Sequence, residues 1–447
     1  MVVQVSFRSG RRAWVPLGAA AVLLLAACGS STPSATSTTS GATSAASSSA
    51  APASSSAASS SVASSSAPAG SSGTGSSSAD GTPAYVAALE PQLEQAITDN
   101  TISGAVVLVR SPQGDWTKTF GTQTWKGSEP VTVDDHVRIG SNTKTWTGTV
   151  VLQLVEEGKI ALDDPVSKYR PDVPNGENIT IAQLLNMRSG LGNYTVDREL
   201  NEQNDSNPSR AWTTEELIAK GLAQPVEFAP GQGFYYSNTN TVLLGAIIEQ
   251  LTGQSLQQNF QTRIFDKIGL TQTSYPAADD ASIPSPHPQG YAWGTNVETI
   301  DSSVLSPEIQ AAAKAGTLDP KDVTDVNPSW GGAAGAGIST ADDLATYVKA
   351  LVGGGLLSPQ MQQQRLDSLQ PRDPADPTVK YGYALAQFGP LYGHSGELPG
   401  FNSFMGYDPV TDTTIVTWAT PAPTTDGQGP AVELAKKVIG ALYSPGG

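Results

Sequence analysis

The amino-acid sequence predicts an α+β fold with three layers (αβα), in which helices flank one antiparallel sheet and an all-helical lobe is inserted into the chain. Two observations support this prediction. Runs with strand character occur near both ends of the folded part, whereas the chain between about residues 163 and 321 has helix-like segments separated by Pro, Gly and Asn loops. We therefore expect a sheet built from the N- and C-terminal segments, with the helical lobe at about residues 160–325.

The first element of the chain is a predicted signal peptide at residues 1–27. Basic residues precede an apolar run that ends at Ala27 and is too short to span a bilayer as a helix. The sequence Leu-Ala-Ala-Cys-Gly at its end resembles the lipobox of bacterial lipoproteins, in which the cysteine is acylated. We therefore expect lipid attachment at Cys28 and an extracytoplasmic position on the bacterial cell membrane. The alternative is an ordinary cleaved signal that releases a free product.

Residues 28–83 form the second predicted segment, a disordered linker. Of the 51 residues from Gly29 to Ala79, 23 are Ser, and none is charged or aromatic. Such a composition buries too little apolar surface to offset the entropy that is lost on ordering. The linker would tether a catalytic-sized domain at residues 84–447 to the membrane anchor.

The overall composition narrows the function classes. The chain has 25 Lys and Arg against 41 Asp and Glu, a net charge of −16, so a nucleic-acid partner is not expected, because phosphate binding needs a basic surface. The single cysteine precedes the linker, which leaves the folded part without a disulfide or a cysteine nucleophile. The chain has three histidines, so a His-rich metal centre is not expected, and we predict neither metal nor cofactor.

Hydrophobic periodicity predicts the elements of the folded part in chain order. Residues 83–100 have apolar positions spaced by three or four, as in an amphipathic helix. The apolar run 104–110 predicts a strand with 116–120 as its hairpin partner. Residues 144–157 are apolar on nearly every face, which predicts a helix buried on all sides. The further predicted helices are 181–187, 214–223, 238–251, 257–268, 341–351 and 431–442, and the further predicted strands are 381–388, 391–395, 403–407 and 413–419.

The loop before the buried helix carries the first residues that point to chemistry, Ser141 and Lys144. Three residues of helix rise about 4.5 Å and turn about 300°, so the two side chains share a face one turn apart. A serine hydroxyl becomes a nucleophile when a base takes its proton, and a buried lysine of lowered pKa can be that base. The alternative is a serine N-cap followed by a solvated lysine, which the motif alone does not exclude.

Two further motifs follow along the chain: Tyr-Ser-Asn at residues 236–238, before an apolar helix, and His-Ser-Gly at residues 394–396, after a predicted strand. The order Ser-x-x-Lys, Tyr-x-Asn, His-x-Gly resembles the penicillin-recognising serine hydrolases, which include class C β-lactamases, D-alanyl-D-alanine carboxypeptidases and related esterases. The resemblance covers about residues 85–442. It implies the β-lactamase/transpeptidase-like form of the predicted fold.

The resemblance also implies catalytic roles. Ser141 would be the acylated nucleophile, and Lys144 would help to deprotonate it. Tyr236 would be the shared base and acid, with its pKa lowered by the neighbouring lysine ammonium. Asn238 would hydrogen-bond both Lys144 and a substrate carbonyl.

The resemblance further implies a substrate-binding strand. Ser395 and Gly396 would continue from His394 as an edge strand that pairs with the substrate backbone. The backbone N–H groups of the nucleophile and of Glu397 would form the oxyanion hole. Trp330, before a Gly-rich run, is either a wall of this pocket or a core residue.

Departures from the family pattern bear on the substrate. β-Lactamases usually have Lys where this chain has His394, and His at this place is more similar to the carboxypeptidase and D-aminopeptidase branches. The carboxypeptidases bind the terminal carboxylate through an Arg on the preceding strand, but residues 381–388 contain no cation. Glu397 would add repulsion against such a carboxylate.

We therefore expect a serine hydrolase that forms an acyl-enzyme on amide or ester bonds, foremost a D-alanyl-D-alanine carboxypeptidase-like peptidase that acts on peptidoglycan-type peptides of the cell envelope. A β-lactamase or a small-ester esterase with the same site is the first alternative. A lipoprotein that binds peptidoglycan or penicillin without turnover is the second.

Overall fold

The computed structural model describes residues 82–443, so the predicted signal peptide, Cys28 and nearly all of the predicted linker lie outside the described residues. The helices are α1 (Val86–Asp99), α2 (Thr143–Glu156), α3 (Ile181–Leu185), α4 (Arg198–Ser206), α5 (Thr214–Leu222), α6 (Asn238–Thr252), α7 (Leu256–Phe260), α8 (Asp266–Ile268), α9 (Pro307–Lys314), α10 (Gly332–Gly335), α11 (Ala341–Gly353), α12 (Pro359–Asp367) and α13 (Pro430–Tyr443). The strands are β1 (Gly104–Arg110), β2 (Trp116–Gly121), β3 (Val137–Arg138), β4 (Tyr291–Ala292), β5 (Lys321–Asp322), β6 (Ile338–Ser339), β7 (Gln370–Asp373), β8 (Asp376–Tyr381), β9 (Ala386–Phe388), β10 (Leu391–Leu398), β11 (Phe401–Asp408) and β12 (Thr413–Thr420). Among the described helices, none combines the length and the apolar character needed to cross a bilayer.

The middle layer is an eight-stranded antiparallel sheet with the strand order β2-β1-β12-β11-β10-β9-β8-β7. The N-terminal strand β1 pairs with the C-terminal strand β12 in a continuous register, from Gly104 opposite Thr420 to Arg110 opposite Thr414. The prediction that one sheet combines both ends of the folded part is therefore confirmed.

Alternation along β12 shows how the two faces of the sheet are covered. Ile415 and Ala419 pack in a cluster with α1 and α13, whereas Val416 and Trp418 pack in the main core with α2 and α11. Neighbouring residues of a strand point to opposite faces, so one apolar strand serves both helical layers. The predicted αβα arrangement is confirmed.

The helical lobe lies between β3 and β6 in the chain and contains α3 to α10, together with the two-residue strands β4 and β5. Several of its helices begin at side chains that accept a hydrogen bond from the first turn. Thr180, Thr213 and Ser255 form such capping boxes on α3, α5 and α7. Because α2 packs against α6 and α10, the helix that follows Ser141 joins the lobe to the sheet.

The helix predicted at residues 257–268 is interrupted in the structure. It consists of α7, a π-helical turn at Gln261–Phe265, and α8. Phe260 and Phe265 both pack on Trp146 of α2, with ring centroids 5.7 and 4.8 Å apart. The wider π-turn brings residues five apart onto one face, so contact with the buried tryptophan accounts for the irregularity.

The prediction of a single strand at residues 381–388 is wrong. These residues form the end of β8, a turn at residues 382–385, and β9. Ala384 in this turn has a φ of +48° and lies so close to Gly148 of α2 that a Cβ at position 148 would collide with it. Packing of the turn onto α2 breaks the strand, and β8 pairs with β7 in a hairpin that the sequence did not indicate.

Candidate active site

Ser141 lies in a tight turn between β3 and α2. Gly140 begins this turn with a φ of +52°, and a Cβ there would collide with the backbone of Glu397 in β10. Glycine therefore allows both the left-handed conformation and the close approach of the strand. Ser141 is 3% exposed, and the first turn of α2 follows it, so the helix dipole favours negative charge at this position.

Lys144 is buried directly beside the nucleophile candidate. Its Nζ lies 2.8 Å from Ser141 Oγ and donates to the backbone carbonyl of Ala334 at 2.7 Å. Burial holds the pKa of Lys144 well below its ordinary value, so the amine is poised to be neutral. A neutral amine accepts the proton of the Ser141 hydroxyl, which makes this pair a nucleophile with its base. The Ala334 carbonyl, from the Gly-rich run after Trp330, was not anticipated from the sequence.

Tyr236 completes the cluster from the loop before α6. Its hydroxyl is hydrogen-bonded to Ser141, and the Lys144 amine lies 4.9 Å from the centre of its ring. Burial raises the pKa of Tyr236 above its ordinary value, and the bond to Ser141 and the charge of Arg372 counteract this only in part. The expectation of a lowered phenol pKa is therefore wrong. The phenol keeps its proton and is suited to donate it.

Asn238 is fully buried, but among the described residues its side-chain oxygen accepts no hydrogen bond, and the expected bond to Lys144 is not formed. Its side-chain amide donates to Asn193 Oδ1 at 3.2 Å and to Thr195 Oγ1 at 3.4 Å. Two backbone N–H groups, those of Asn238 and Thr195, also donate to Asn193 Oδ1 and fix which way the Asn193 amide faces. Asn193, which the sequence reasoning missed, therefore holds Asn238 in place, and the predicted hydrogen bond to Lys144 is corrected.

The strand β10 presents an open edge to the site. It pairs with β11 along its length, whereas β9 pairs with it only from Leu391 to Gly393. Within residues 82–443, no further strand pairs with β10 from His394 onward on that side. This edge is where the sequence analysis predicts pairing with a substrate backbone.

Gly396 allows β10 to pass against the turn that holds Ser141. A Cβ at this position would collide with the carbonyl of Ile139 and would lie 2.9 Å from the Ser141 nitrogen. The same approach brings the backbone of Glu397 against Gly140. The N–H groups of Ser141 and Glu397, predicted as the oxyanion hole, are thereby brought to neighbouring positions.

The side chains of Ser395 and Glu397 face away from this cleft. Ser395 lies opposite Phe404, which packs in the cluster of α1 and α13. Glu397 accepts a 2.9 Å hydrogen bond from Asn402, whose own oxygen accepts from the backbone of Ala431 in α13. The expectation that the Glu397 carboxylate repels a substrate carboxylate is therefore wrong, because that side chain lies on the other face of the sheet.

Trp330 belongs to the main core. It is 1% exposed, and its carbonyl accepts a 2.7 Å hydrogen bond from the Tyr194 hydroxyl. Of the two readings of this residue, wall of the pocket or core, the structure favours the core, and its assignment as a substrate-binding residue is corrected.

His394 is buried beside a tyrosine that the sequence analysis did not select. Its Nε2 lies 3.2 Å from the hydroxyl of Tyr381, and its Nδ1 lies 2.5 Å from the carbonyl of Ser395. Burial, together with the charges of Lys144 and Arg372, lowers the pKa of His394 to about 3. The imidazole is therefore neutral at physiological pH.

Arg372 supplies the cation that residues 381–388 lack. It lies in β7, at a shift in the register between β7 and β8, where side chains depart from simple alternation. Its guanidinium carbon is 5.2 Å from the ring centre of Phe234, and its charge acts on both Tyr236 and His394. Among the described residues, we find no hydrogen bond or ion pair to Arg372. The resemblance implies this cation on the strand that precedes His394, and the sequence did not indicate β7, because the β7–β8 hairpin carries no strand signal.

The structure thus brings Ser141, Lys144, Tyr236, His394 and the backbone of Glu397 into one cleft. Within residues 82–443, no group of three or more His, Cys, Asp or Glu side chains is arranged to hold a metal ion. The mixed fold and the Ser-Lys-Tyr cluster together define a class: serine hydrolases with the fold of β-lactamases and penicillin-binding proteins.

Comparison with known proteins identifies the family. The Beta-lactamase family matches residues 89–437, and the chain belongs to this family. Esterase EstB of Burkholderia gladioli is 26% identical over 340 residues, which cover 69% of this chain and 86% of the esterase. The putative penicillin-binding protein PbpX of Bacillus subtilis (strain 168) is 26% identical in sequence, and the match covers 70% of this chain and 69% of PbpX. Among solved structures, the crystal structure of a D-stereospecific amidohydrolase from Streptomyces sp. matches this chain with a TM-score of 0.67 and 32% sequence identity. The match covers 80% of this chain and 98% of the amidohydrolase.

Proposed function

We propose that this protein is a serine acyl hydrolase of the cell envelope, with a D-alanyl-D-alanine carboxypeptidase-like activity on peptidoglycan-type peptides. The observation that carries the hydrolase proposal is the 2.8 Å contact between Lys144 Nζ and Ser141 Oγ in a fully buried setting. Within residues 82–443, no carboxylate forms an ion pair with Lys144, and such a lysine serves poorly as a structural charge, since burial disfavours its protonated form.

Acylation begins when the neutral Lys144 amine takes the Ser141 proton as Oγ attacks the substrate carbonyl. The backbone N–H groups of Ser141 and Glu397 stabilise the oxyanion, and each such donor is typically worth about 3 kcal/mol in the transition state. Tyr236 donates its phenolic proton to the leaving nitrogen as the carbon–nitrogen bond breaks. The phenolate that remains is stabilised by the protonated Lys144 and by Arg372.

Deacylation reverses these proton positions. The Tyr236 phenolate takes a proton from water, whose oxygen attacks the acyl carbon. The bond between that carbon and Ser141 Oγ breaks, and the protonated Lys144 returns its proton to the hydroxyl. One water is consumed, and all three side chains regain their starting protonation states.

Arg372 favours a substrate with a free carboxylate. A guanidinium binds a carboxylate through two parallel hydrogen bonds, and Arg372 lies beside the site with none of its donors committed to described residues. In a chain with a net charge of −16, such a cation at the cleft marks a place for an anionic group. The similarity to a D-stereospecific amidohydrolase and to a penicillin-binding protein supports a peptide that ends in a D-residue.

A substrate panel tests this proposal on the full chain and on Ser141→Ala. The panel consists of a labelled penicillin, a peptide ending in D-Ala-D-Ala, the same peptide with a C-terminal amide, and a chromogenic ester. We expect Ser141-dependent release of D-Ala from the free acid, with slow loss of the penicillin label. Release that persists in Ser141→Ala, or no cleavage of any member, would contradict the proposal.

An esterase is the second candidate, because EstB is matched over 86% of its length. Cleavage of the ester alone would favour it. Rapid release of hydrolysed penicillin would indicate a β-lactamase, and binding of penicillin without any turnover would indicate the receptor alternative.

The proposal places the enzyme on the outer side of the cell membrane through a lipid at Cys28. The support is the lipobox-like sequence and the Ser-rich segment between it and the domain. In a bacterial host, the full chain should incorporate labelled fatty acid and sediment with membranes, whereas Cys28→Ala should do neither. Fatty-acid label that is retained in Cys28→Ala would refute attachment at this residue.

A further inference from the structure

Tyr381, at the end of β8, lies beside the rings of His394 and Tyr236 in the active-site cleft. Its ring meets His394 edge to face at 5.6 Å and Tyr236 edge to face at 5.9 Å. Its hydroxyl is buried and lies 3.2 Å from His394 Nε2. Within the part of the chain that the structure describes, this is the one hydrogen bond that we find for the Tyr381 hydroxyl.

The partners of His394 determine where its protons are. Nδ1 lies 2.5 Å from the carbonyl oxygen of Ser395, and a carbonyl can only accept, so Nδ1 carries a proton. In a neutral ring, Nε2 is then the acceptor, and the Tyr381 hydroxyl donates to it. A doubly protonated ring would leave the Tyr381 proton without an acceptor in a buried place.

The groups around His394 oppose a second proton. Arg372 of β7 and Lys144 of α2 are the basic groups that act on the ring; Arg372 carries a positive charge, and Lys144 adds a second one whenever it is protonated. The phenol of Tyr236 adds no counter-charge while it is protonated, and the Glu397 carboxylate lies on the other face of the sheet. Burial raises the pKa of Tyr381 well above its ordinary value, so the shared proton stays on the phenol oxygen.

We propose that Tyr381 is a positioning residue, whose hydroxyl holds His394 as the neutral imidazole with its proton on Nδ1. Both ring nitrogens are then occupied, so His394 shapes the edge of β10 and takes no part in proton transfer. The proton route is confined to Ser141, Lys144 and Tyr236. This proposal adds to the mechanism proposed above, but its central claim about His394 is decided without any substrate.

Nitrogen NMR of the full chain with ¹⁵N-labelled histidine tests the protonation state directly. The chain has three histidines, so the variants His136→Gln and His287→Gln assign the remaining ring. We expect His394 to show a protonated Nδ1 and a bare Nε2, unchanged between pH 5 and pH 8. A proton on Nε2, or titration of His394 near pH 6.5, would overturn the proposal.

The variant Tyr381→Phe tests the positioning role. It should shift the His394 Nε2 signal, because that nitrogen loses its donor. It should also lower kcat/KM about three- to tenfold, the range expected for one neutral hydrogen bond, and make the acid limb of the pH profile steeper, because protonation of His394 joins that of Lys144. The matched control is Tyr347→Phe, since Tyr347 is also buried but donates to Thr145 Oγ1 at 2.8 Å.

The control variant should leave the His394 signals and the shape of the pH profile unchanged, even where it lowers the melting temperature. Equal effects of the two variants on the His394 signals would refute a specific role for Tyr381. An enzyme inactive on every substrate would refute the proposed function, while the NMR experiment would still decide the state of His394.

Discussion

Two sides of the site differ in how their groups are held. On the helical side, formed by Ser141, Lys144, Tyr236 and Asn238, polar groups have short contacts to protein partners, such as Lys144 to Ala334 and Asn238 to Asn193. On the strand side, formed by the edge of β10 from His394 to Leu398 together with Arg372, the pairing of β9 with β10 stops at Gly393, and among residues 82–443 we find no ion pair to Arg372.

This difference follows from what each side must do. Proton transfer requires donors and acceptors held within a fraction of an ångström, which buried hydrogen bonds provide. Recognition requires groups that are still able to bind when the substrate arrives. We therefore expect side-chain changes on the helical side to abolish catalysis, and loss of the Arg372 guanidinium on the strand side to alter substrate preference.

The largest expected effect is that of Ser141→Ala. Loss of the nucleophile should lower kcat by about a thousandfold or more and abolish labelling by penicillin. The melting temperature should change little, because a hydroxyl is removed without opening a large cavity. Covalent labelling by penicillin that persists in Ser141→Ala would contradict the assignment of Ser141 as the nucleophile.

Lys144→Met should lower kcat by about a hundredfold or more, since the base is lost. It should not lower the melting temperature at pH 7, because it removes a buried ionisable group whose pKa the fold depresses. Between the depressed pKa and the ordinary value of about 10.5, the unfolded chain binds a proton that the native chain does not, so the native lysine costs stability and costs more as pH falls.

The stability gain from Lys144→Met should therefore shrink as pH rises from 7 towards 10, as measured by thermal unfolding at several pH values. A gain that grows with pH would contradict a neutral lysine. The activity of the unaltered protein should fall on the acid side as Lys144 gains its proton.

On the strand side, Gly396→Ala should lower kcat/KM about a hundredfold, because the new methyl group would collide with the Ile139 carbonyl and displace the oxyanion donors. Gly440→Ala in α13 is the matched control, since a Cβ there meets nothing within 4 Å. The control should be neutral or slightly stabilising. Equal activity of the two variants would argue against the close approach of β10 to Ser141.

Arg372→Gln should have the smallest and most selective effect. The ratio of kcat/KM for a D-Ala-D-Ala peptide over its C-terminal amide should fall about ten- to hundredfold, the range for a charged hydrogen-bonded pair. Arg110→Gln is the control, because Arg110 lies in β1 and pairs with Asp342. If Arg372→Gln leaves this ratio unchanged, Arg372 does not bind the C-terminal carboxylate of the substrate.

The relative positions of site residues that are close together in the chain were predicted correctly from the sequence. Ser141 and Lys144 are three positions apart at the start of one helix, and the helical repeat alone sets them on one face. The turn at Gly140 and the apolar helix α2 were likewise readable from local pattern. Asn193, Ala334 and Arg372 were not found, because each reaches the cleft from a segment distant in sequence that carries no motif.

The direction of the Glu397 side chain follows from strand geometry alone. Alternation along β10 sets Gly396 and Glu397 on opposite faces, so the carboxylate could have been placed away from the cleft without a structure. The broken strand at residues 382–385 is different. Its cause is contact between Ala384 and Gly148, which no local pattern records.

The sequence by itself determined that strands from both ends of the folded part enclose a helical lobe, that α2 is buried on all sides, and which hydroxyl, amine and phenol form the site, because these depend on side-chain type and spacing. The tertiary structure alone decided the protonation of Tyr236 and His394, the direction of Glu397 and the position of Arg372. The physical reason is that pKa values and side-chain directions depend on burial and on neighbours that folding brings from distant parts of the chain.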